Sequence, residues 1–168
     1  QYLQAFELIS DVGLRFLEEM KMVQSTIQRS KSDWHVLIEF GYNNSSVEQD
    51  VYEALDELCN KNIISHVVLG DTETKARKLW KMREDIPEAN RKIGAITSHD
   101  IALPLENMES FINKSLVEIK EINKSLRVNC FGHMGDGNLH FNIFPPQEGK
   151  KSSYTRIKSK LTKVINNN

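Results

Sequence analysis

The chain has 168 residues, 39% apolar and 27% charged, and a net charge of −1. This suits one soluble globular domain with its own core and excludes the broadly basic footprint of a nucleic-acid binder. Cys59 and Cys130 are far apart and make neither a disulfide framework nor a Cys-x-x-Cys motif, which points to a reducing, cytoplasmic home. No apolar stretch approaches the ~18 residues of a membrane span.

Taken in chain order, residues Ser10 to Gln28 place Val12, Leu14, Phe16, Leu17, Met20 and Val23 at mostly helical spacing, with Ser10 or Asp11 as the capping residue. Trp34 to Tyr42 is rich in β-branched and aromatic residues and runs into Asn43-Asn44-Ser45-Ser46, which predicts a strand and a turn. Ser46 then caps a helix from Val47 to Asn60 with a Val51, Leu55, Leu58 stripe. Ile63 to Leu69 reads as a strand. A long helix follows from Asp71 or Thr72 toward Lys92, with a kink or break expected at Pro87 and a stop at Gly94. Ala95 to Leu103 is a predicted strand, Pro104 to Ser125 a helix, and Arg127 to Gly132 with Asn138 to Phe144 the arms of a hairpin that Pro145-Pro146 ends. Beyond Gly149, Lys150, Lys151, Arg156, Lys158, Lys160 and Lys163 interleave with Tyr154, Ile157, Leu161 and Val164, as in a packed terminal helix with a solvated lysine face, and Asn166 to Asn168 read as a frayed end. The order predicts an α+β domain of ferredoxin-like character, a mostly antiparallel sheet with helices packed on one face, spanning residues 1–168.

The chemistry concentrates in Phe131-Gly132-His133-Met134-Gly135-Asp136-Gly137-Asn138-Leu139-His140-Phe141-Asn142. Asp-Gly between apolar arms signals a hairpin, and period-2 alternation puts His140 and Asn142 on one face, with His133 able to lie opposite them. Two imidazoles on strands beside an amide make a partial ligand set for a divalent metal such as zinc; an ordinary hairpin with two histidines at a wet sheet end fits the spacing equally well.

This run resembles the signature of the C-terminal domain of FAD-linked oxidases of the vanillyl-alcohol-oxidase type, in the 2-hydroxyacid dehydrogenase branch that includes D-lactate dehydrogenases, the flavin subunit of glycolate oxidase and D-2-hydroxyglutarate dehydrogenase. Further stretches resemble the same family in the same order. Ala5-Phe6-Glu7-Leu8 is similar to its opening helix and Trp34-His35-Val36-Leu37-Ile38-Glu39-Phe40 to its first long strand. Leu79-Trp80-Lys81-Met82-Arg83-Glu84 and His99-Asp100-Ile101-Ala102-Leu103-Pro104 are similar to its central helix and strand. The resemblance implies a two-part flavoenzyme in which an N-terminal domain holds FAD and this domain caps the flavin and supplies much of the pocket for a small 2-hydroxy acid. It implies that His133 and His140 bind zinc or a similar ion and serve catalysis. It makes Asn142 a catalytic and substrate-binding amide and Arg83 the partner of the substrate carboxylate. Without the resemblance, Arg83 reads as a surface arginine paired to Glu84 or Asp85. Trp80 reads as core, His99 with Asp100 as a structural dyad, and His35 and His66 as structural.

Two departures qualify the match. Ser98 and His99 fill a stretch where some members carry a lysine for the substrate carboxylate, and a later Ser-Ala-Glu-His-Gly segment that supplies the acidic third ligand is not in these 168 residues. The glycines of the hairpin are also no strand-to-helix phosphate loop. The expectation is therefore a truncated piece of an FAD-dependent 2-hydroxyacid dehydrogenase, inactive in isolation. It has no nucleic-acid partner and no membrane span, though the full-length enzyme could be peripheral to a membrane. The start at Gln1 fits a processed or excised portion. A stand-alone α+β binding or assembly module with a structural histidine hairpin is the alternative, and a ferredoxin-like nucleic-acid binder lacks the aromatic platform on its strands.

Overall fold

A computed structural model describes residues 2–23, 32–41 and 45–168, without the side chains of 45 and 46. In chain order it contains β1 (Leu3–Ser10), α1 (Asp11–Glu19), β2 (Trp34–Phe40), α2 (Ser45–Asn60), α3 (Glu73–Ile93), β3 (Thr97–Ala102), α4 (Leu105–Ile122), β4 (Arg127–His133), β5 (Asn138–Phe144), a 3-10 segment at Lys151–Ile157 and α5 (Lys158–Asn167). The five strands form one sheet in the order β2-β1-β4-β5-β3, every pair antiparallel. The α+β class with an antiparallel sheet thus stands.

The helices occupy both faces of that sheet instead of one. Strand alternation sends Cys130 of β4 and Leu139, Phe141 and Ile143 of β5 to a core shared with α4 and α5, through Met108, Phe111, Ile112, Ile119, Leu161, Val164 and Ile165. The intervening residues Phe131 and Phe144, with Ile9 of β1, face a second core made with Leu14, Phe16 and Leu17 of α1 and Ile86 and Ala89 of α3. Because β5 is buried on both sides, through Leu139, Phe141 and Ile143 on one and Asn142 and Phe144 on the other, one layer of helices could not cover it.

Three expectations change. Leu3 to Ser10, matched in part to an opening helix, is a strand whose Glu7, Leu8 and Ile9 pair with His133, Gly132 and Phe131. Ile63 to Leu69 forms no strand: Ile63, Val68 and Leu69 are exposed, and the β-branched run finds no neighbour with which to pair. Pro87 neither breaks nor ends α3, which runs on to Ile93 and closes on Gly94 at φ 82°. The proline removes the bond to the carbonyl of Arg83, but Ile86, Ala89 and Asn90 are buried on either side of it, and this packing holds the helix through the gap.

The start of α3 and the inward face of the terminal helix lie where the sequence puts them. Thr72 caps α3 through a bond from the Lys75 amide, 3.3 Å. Ser10 occupies the cap position of α1, yet its hydroxyl donates to Asn129 Oδ1 at 2.8 Å instead. Leu161, Val164 and Ile165 pack inward from a lysine-rich exposed surface, but the end expected to fray at Asn166 is helical to Asn167, with Asn168 Nδ2 donating to the Val164 carbonyl at 3.1 Å. Trp80, expected in the core, is instead half-buried and belongs to neither core. The first helix, expected to run from Ser10 to Gln28, ends at Glu19, where Met20 and Lys21 turn the chain with Lys21 at φ 54°; residues 24–28, the start of the turn at 43–44 and the Ser46 side-chain cap lie outside the described residues.

Candidate functional site

The hairpin of β4 and β5 turns over residues 134–137, where Asp136 Oδ1 accepts from the Asn138 amide at 3.1 Å and Gly137 takes φ 72°. The register sets His140 opposite Phe131 and Asn142 opposite Asn129, with His133 opposite Asn138. His133, His140 and Asn142 therefore share the face covered by α1 and α3, and the two imidazoles are diagonal neighbours with ring centroids 6.1 Å apart.

Each imidazole is held by a carboxylate from a neighbouring strand. His133 Nδ1 lies 2.6 Å from Glu7 Oε1 on β1, and His140 Nδ1 lies 2.5 Å from Asp100 Oδ1 on β3. An ionised carboxylate only accepts, so in both rings Nδ1 carries the hydrogen and the Nε2 lone pair is left over. This is the arrangement by which a carboxylate orients a metal-ligating histidine. Phe131 fills the space between the parts, its ring 4.8 Å from that of His140 and its other neighbour the Arg83 guanidinium, also 4.8 Å from the ring centroid.

Arg83 comes from α3 and is 7% exposed. Its Nε donates to Glu7 Oε2 at 2.9 Å and its Nη2 lies 2.8 Å from the same oxygen. The surface pairing with Glu84 or Asp85 does not form: Asp85 takes Lys81 one turn earlier, at 2.8 Å. Asn142 is buried two residues beyond His140 on the same strand face. Below it a polar layer links Ser10, Asn129 and Asn90, with Asn129 Nδ2 donating to Asn90 Oδ1 at 2.8 Å.

The residues expected at the site, His133, His140, Arg83 and Asn142, thus lie on one side of the sheet. His99 does not join them. It pairs with Phe141 across the ladder and faces the α4/α5 side, so Asp100 serves His140 and not its own neighbour. Burial pushes the His99 imidazole below its ordinary value, against a smaller opposite pull from Asp100. His35 Nε2 sits 3.4 Å from Asp11, His66 is exposed, and burial pushes the Cys130 thiol up to about 12, which makes it inert.

Glu7 was hidden in a stretch taken for a helix. Its signal lay in the alternation of Glu7 and Ile9 against Phe6 and Leu8, which puts a carboxylate on an apolar strand face.

Among the described residues no group of three or more His, Cys, Asp or Glu side chains is arranged to hold a metal ion. The histidine pair has the tautomer and the carboxylate support that a metal requires but supplies only two ligands, so a complete site needs a donor from elsewhere. For FAD, the glycines of the turn join antiparallel strands and offer no helix N-terminus to a pyrophosphate. The chain's own residues do not form a dinucleotide cradle there.

An antiparallel sheet with helices on both faces, carrying a carboxylate-held histidine pair beside a buried arginine, defines the α+β class of this domain. The chain belongs to the family of C-terminal domains of FAD-linked oxidases, whose profile matches residues 1–166. It is 33% identical over 161 residues to a putative mitochondrial D-lactate dehydrogenase of Schizosaccharomyces pombe, covering 90% of this chain and 30% of that protein. It is 29% identical over 145 residues to the mitochondrial D-2-hydroxyglutarate dehydrogenase of Arabidopsis thaliana, covering 85% of this chain and 25% of the relative. With the D-2-hydroxyglutarate dehydrogenase of Xanthomonas citri it shares 24% over 164 residues, 97% of this chain and 34% of that enzyme. The chain thus spans between a quarter and about a third of the length of these relatives. No helix among the described residues is long and apolar enough to cross a membrane.

Proposed function

We propose that residues 1–168 act as the substrate- and metal-binding domain of an FAD-dependent oxidoreductase that oxidises a small 2-hydroxy acid, of the D-lactate, glycolate or D-2-hydroxyglutarate kind, to the 2-oxo acid. The observation that carries this reading is the convergence of Arg83, His133 and His140 on one sheet face, the histidines fixed as Nδ1–H tautomers by Glu7 and Asp100. Membership of the FAD-linked oxidase family and the names of the relatives agree with it.

In this reading Arg83 binds the substrate carboxylate through the edge of its planar guanidinium that Glu7 leaves unused. His133 and His140 offer their Nε2 atoms to a divalent ion, zinc by ligand type, and Asn142 provides an amide beside the reacting carbon. Held at His133 and His140, such an ion would supply Lewis acidity to the substrate hydroxyl, and FAD would supply the acceptor for the hydride. The residues of this chain would do the positioning: Arg83 would hold the carboxylate while the hydroxyl lies beside His133, His140 and Asn142. FAD is held by a partner domain of the same polypeptide. The cysteine usage suits any reducing compartment, and a mitochondrial location such as several relatives' names carry is as compatible with it as a cytoplasmic one.

The test is His140→Ala in the full polypeptide. Bound divalent metal and turnover of a 2-hydroxy acid should be lost together. Unaltered metal content with unaltered activity would end the ligand assignment and leave a binding or assembly module.

A further inference from the structure

Glu7 joins both halves of the site through polar contacts, to Arg83 on one side and His133 on the other. Its two oxygens are divided between them: Oε2 takes Arg83 Nε at 2.9 Å and Nη2 at 2.8 Å, while Oε1 takes His133 Nδ1 at 2.6 Å. Glu7 is 5% exposed and Arg83 7%, so water has little room to replace either partner. The position is set by the sheet itself. β1 pairs with β4 so that Glu7 lies directly opposite His133, and α3 brings Arg83 down onto the same carboxylate.

We propose that Glu7 is a positioning residue that locks the substrate-binding arginine and the first metal-ligating histidine into one unit, so that carboxylate recognition and metal binding are built at a fixed separation. The inference rests on the function proposed above. In a 2-hydroxy acid the carboxylate and the hydroxyl sit on adjacent carbons, so the groups that hold them must keep one spacing. Two side chains from different elements, α3 and β4, have no reason to do so unless something ties them. Glu7 ties them with three bonds, and Phe131 adds a second tie by lying against both Arg83 and His140.

The alternative is that Glu7 merely neutralises a buried arginine. The two roles differ in sign for the substrate. If Glu7 only offsets charge, its removal leaves the positive charge of Arg83 uncompensated and an anionic substrate binds more tightly. If Glu7 positions, its removal releases the guanidinium and the imidazole together, and both ligands bind more weakly.

The experiment uses the full-length enzyme. Zinc affinity is measured by competition with a chelator, independently of turnover, and KM and kcat for the hydroxy acid are measured at saturating zinc. In Glu7→Gln the zinc dissociation constant should rise at least about tenfold, as for other residues that orient a metal ligand, and KM should rise as well. Arg83→Lys is the second variant. It keeps the charge and gives up the planar hold on Oε2, and it should weaken zinc by at least about fivefold although Arg83 is not a ligand. It also supplies the decisive reading where Glu7→Gln does not fold. A zinc affinity within twofold of the parent in the variant that folds overturns the inference, as does a KM that falls in Glu7→Gln, or a loss confined to one ligand. His140→Ala separates the two levels of the argument. If it loses zinc while the Glu7 and Arg83 variants keep it, this inference fails alone; if it keeps zinc, the proposed function fails and this inference falls with it.

Discussion

His99 and Asp100 show how much one residue's step along a strand decides. Neighbours in a strand point to opposite faces, so Asp100 reaches His140 while His99 turns toward the α4/α5 core with its Nε2 buried and without a hydrogen bond. Read as adjacent letters, the two suggested a dyad with each other, and only the pairing register separates them. The cost of burying that imbalance appears in acid. Burial lowers the pKa of His99 in the fold below its ordinary 6.5. Between the folded and the unfolded value the unfolded chain binds more protons, so stability rises with pH in that window. The contribution is therefore present above about 6.5 and is lost as the pH falls below it toward the folded value. We expect thermal unfolding followed across this range to show a steeper acid loss in the parent than in His99→Leu, which has nothing to protonate. Equal slopes would mean that His99 is hydrated in the folded state.

At the scale of elements, the β4–β5 hairpin and the strand β3 form one construction. The turn between the arms is fastened to the end of β3 by a bond from the Leu103 amide to the Gly137 carbonyl, 3.0 Å. Gly137 is left-handed at φ 72°, and a Cβ there would stand 1.9 Å from the Leu103 carbonyl oxygen, a backbone atom that has nowhere to go. Gly137→Ala should cost about 1–3 kcal/mol of stability from backbone strain, and more if Leu103 is driven out. Because β3 carries Asp100, the same change should loosen His140, so under the proposed function zinc affinity should fall along with the melting temperature. A variant with parental melting behaviour would show that the turn relaxes freely. The Asp-Gly signal made this hairpin legible in the sequence to within a residue of each end. The same reading failed at Ile63 to Leu69 and at Leu3 to Ser10. Both are rich in apolar or β-branched residues, but whether such a run pairs depends on a free neighbouring strand, and β4 offers its open edge to β1 and to nothing near Ile63. Glu7, which lies in the misread strand, was lost with it.

For the whole molecule, the decisive feature is that β5 is a central strand buried on both faces. It separates two cores that have no residue in common. The helical pattern of α1, α3, α4 and α5 was legible in the sequence because each carries an apolar stripe. Which face each stripe would cover was not, since stripes show burial but no direction. Phe111 meets Phe141 edge to face at 5.6 Å in one core, and Phe16 meets Phe144 at 4.7 Å in the other. Two consequences follow for energetics. Within a core, the paired rings share a contact worth about 0.5–1.5 kcal/mol beyond their area, so Phe16→Leu and Phe144→Leu combined should destabilise by less than their sum. Across the sheet, Phe16→Leu and Phe111→Leu touch no common side chain, and their effects should add within about 0.3–0.5 kcal/mol. Native-state amide exchange of β5 reads both pairs on the same strand and does not assume that unfolding is one step. Coupling across the sheet as large as coupling within one core would contradict the separation of the two faces. The site would then share its rigidity with α4 and α5, instead of drawing it from the α1/α3 side alone.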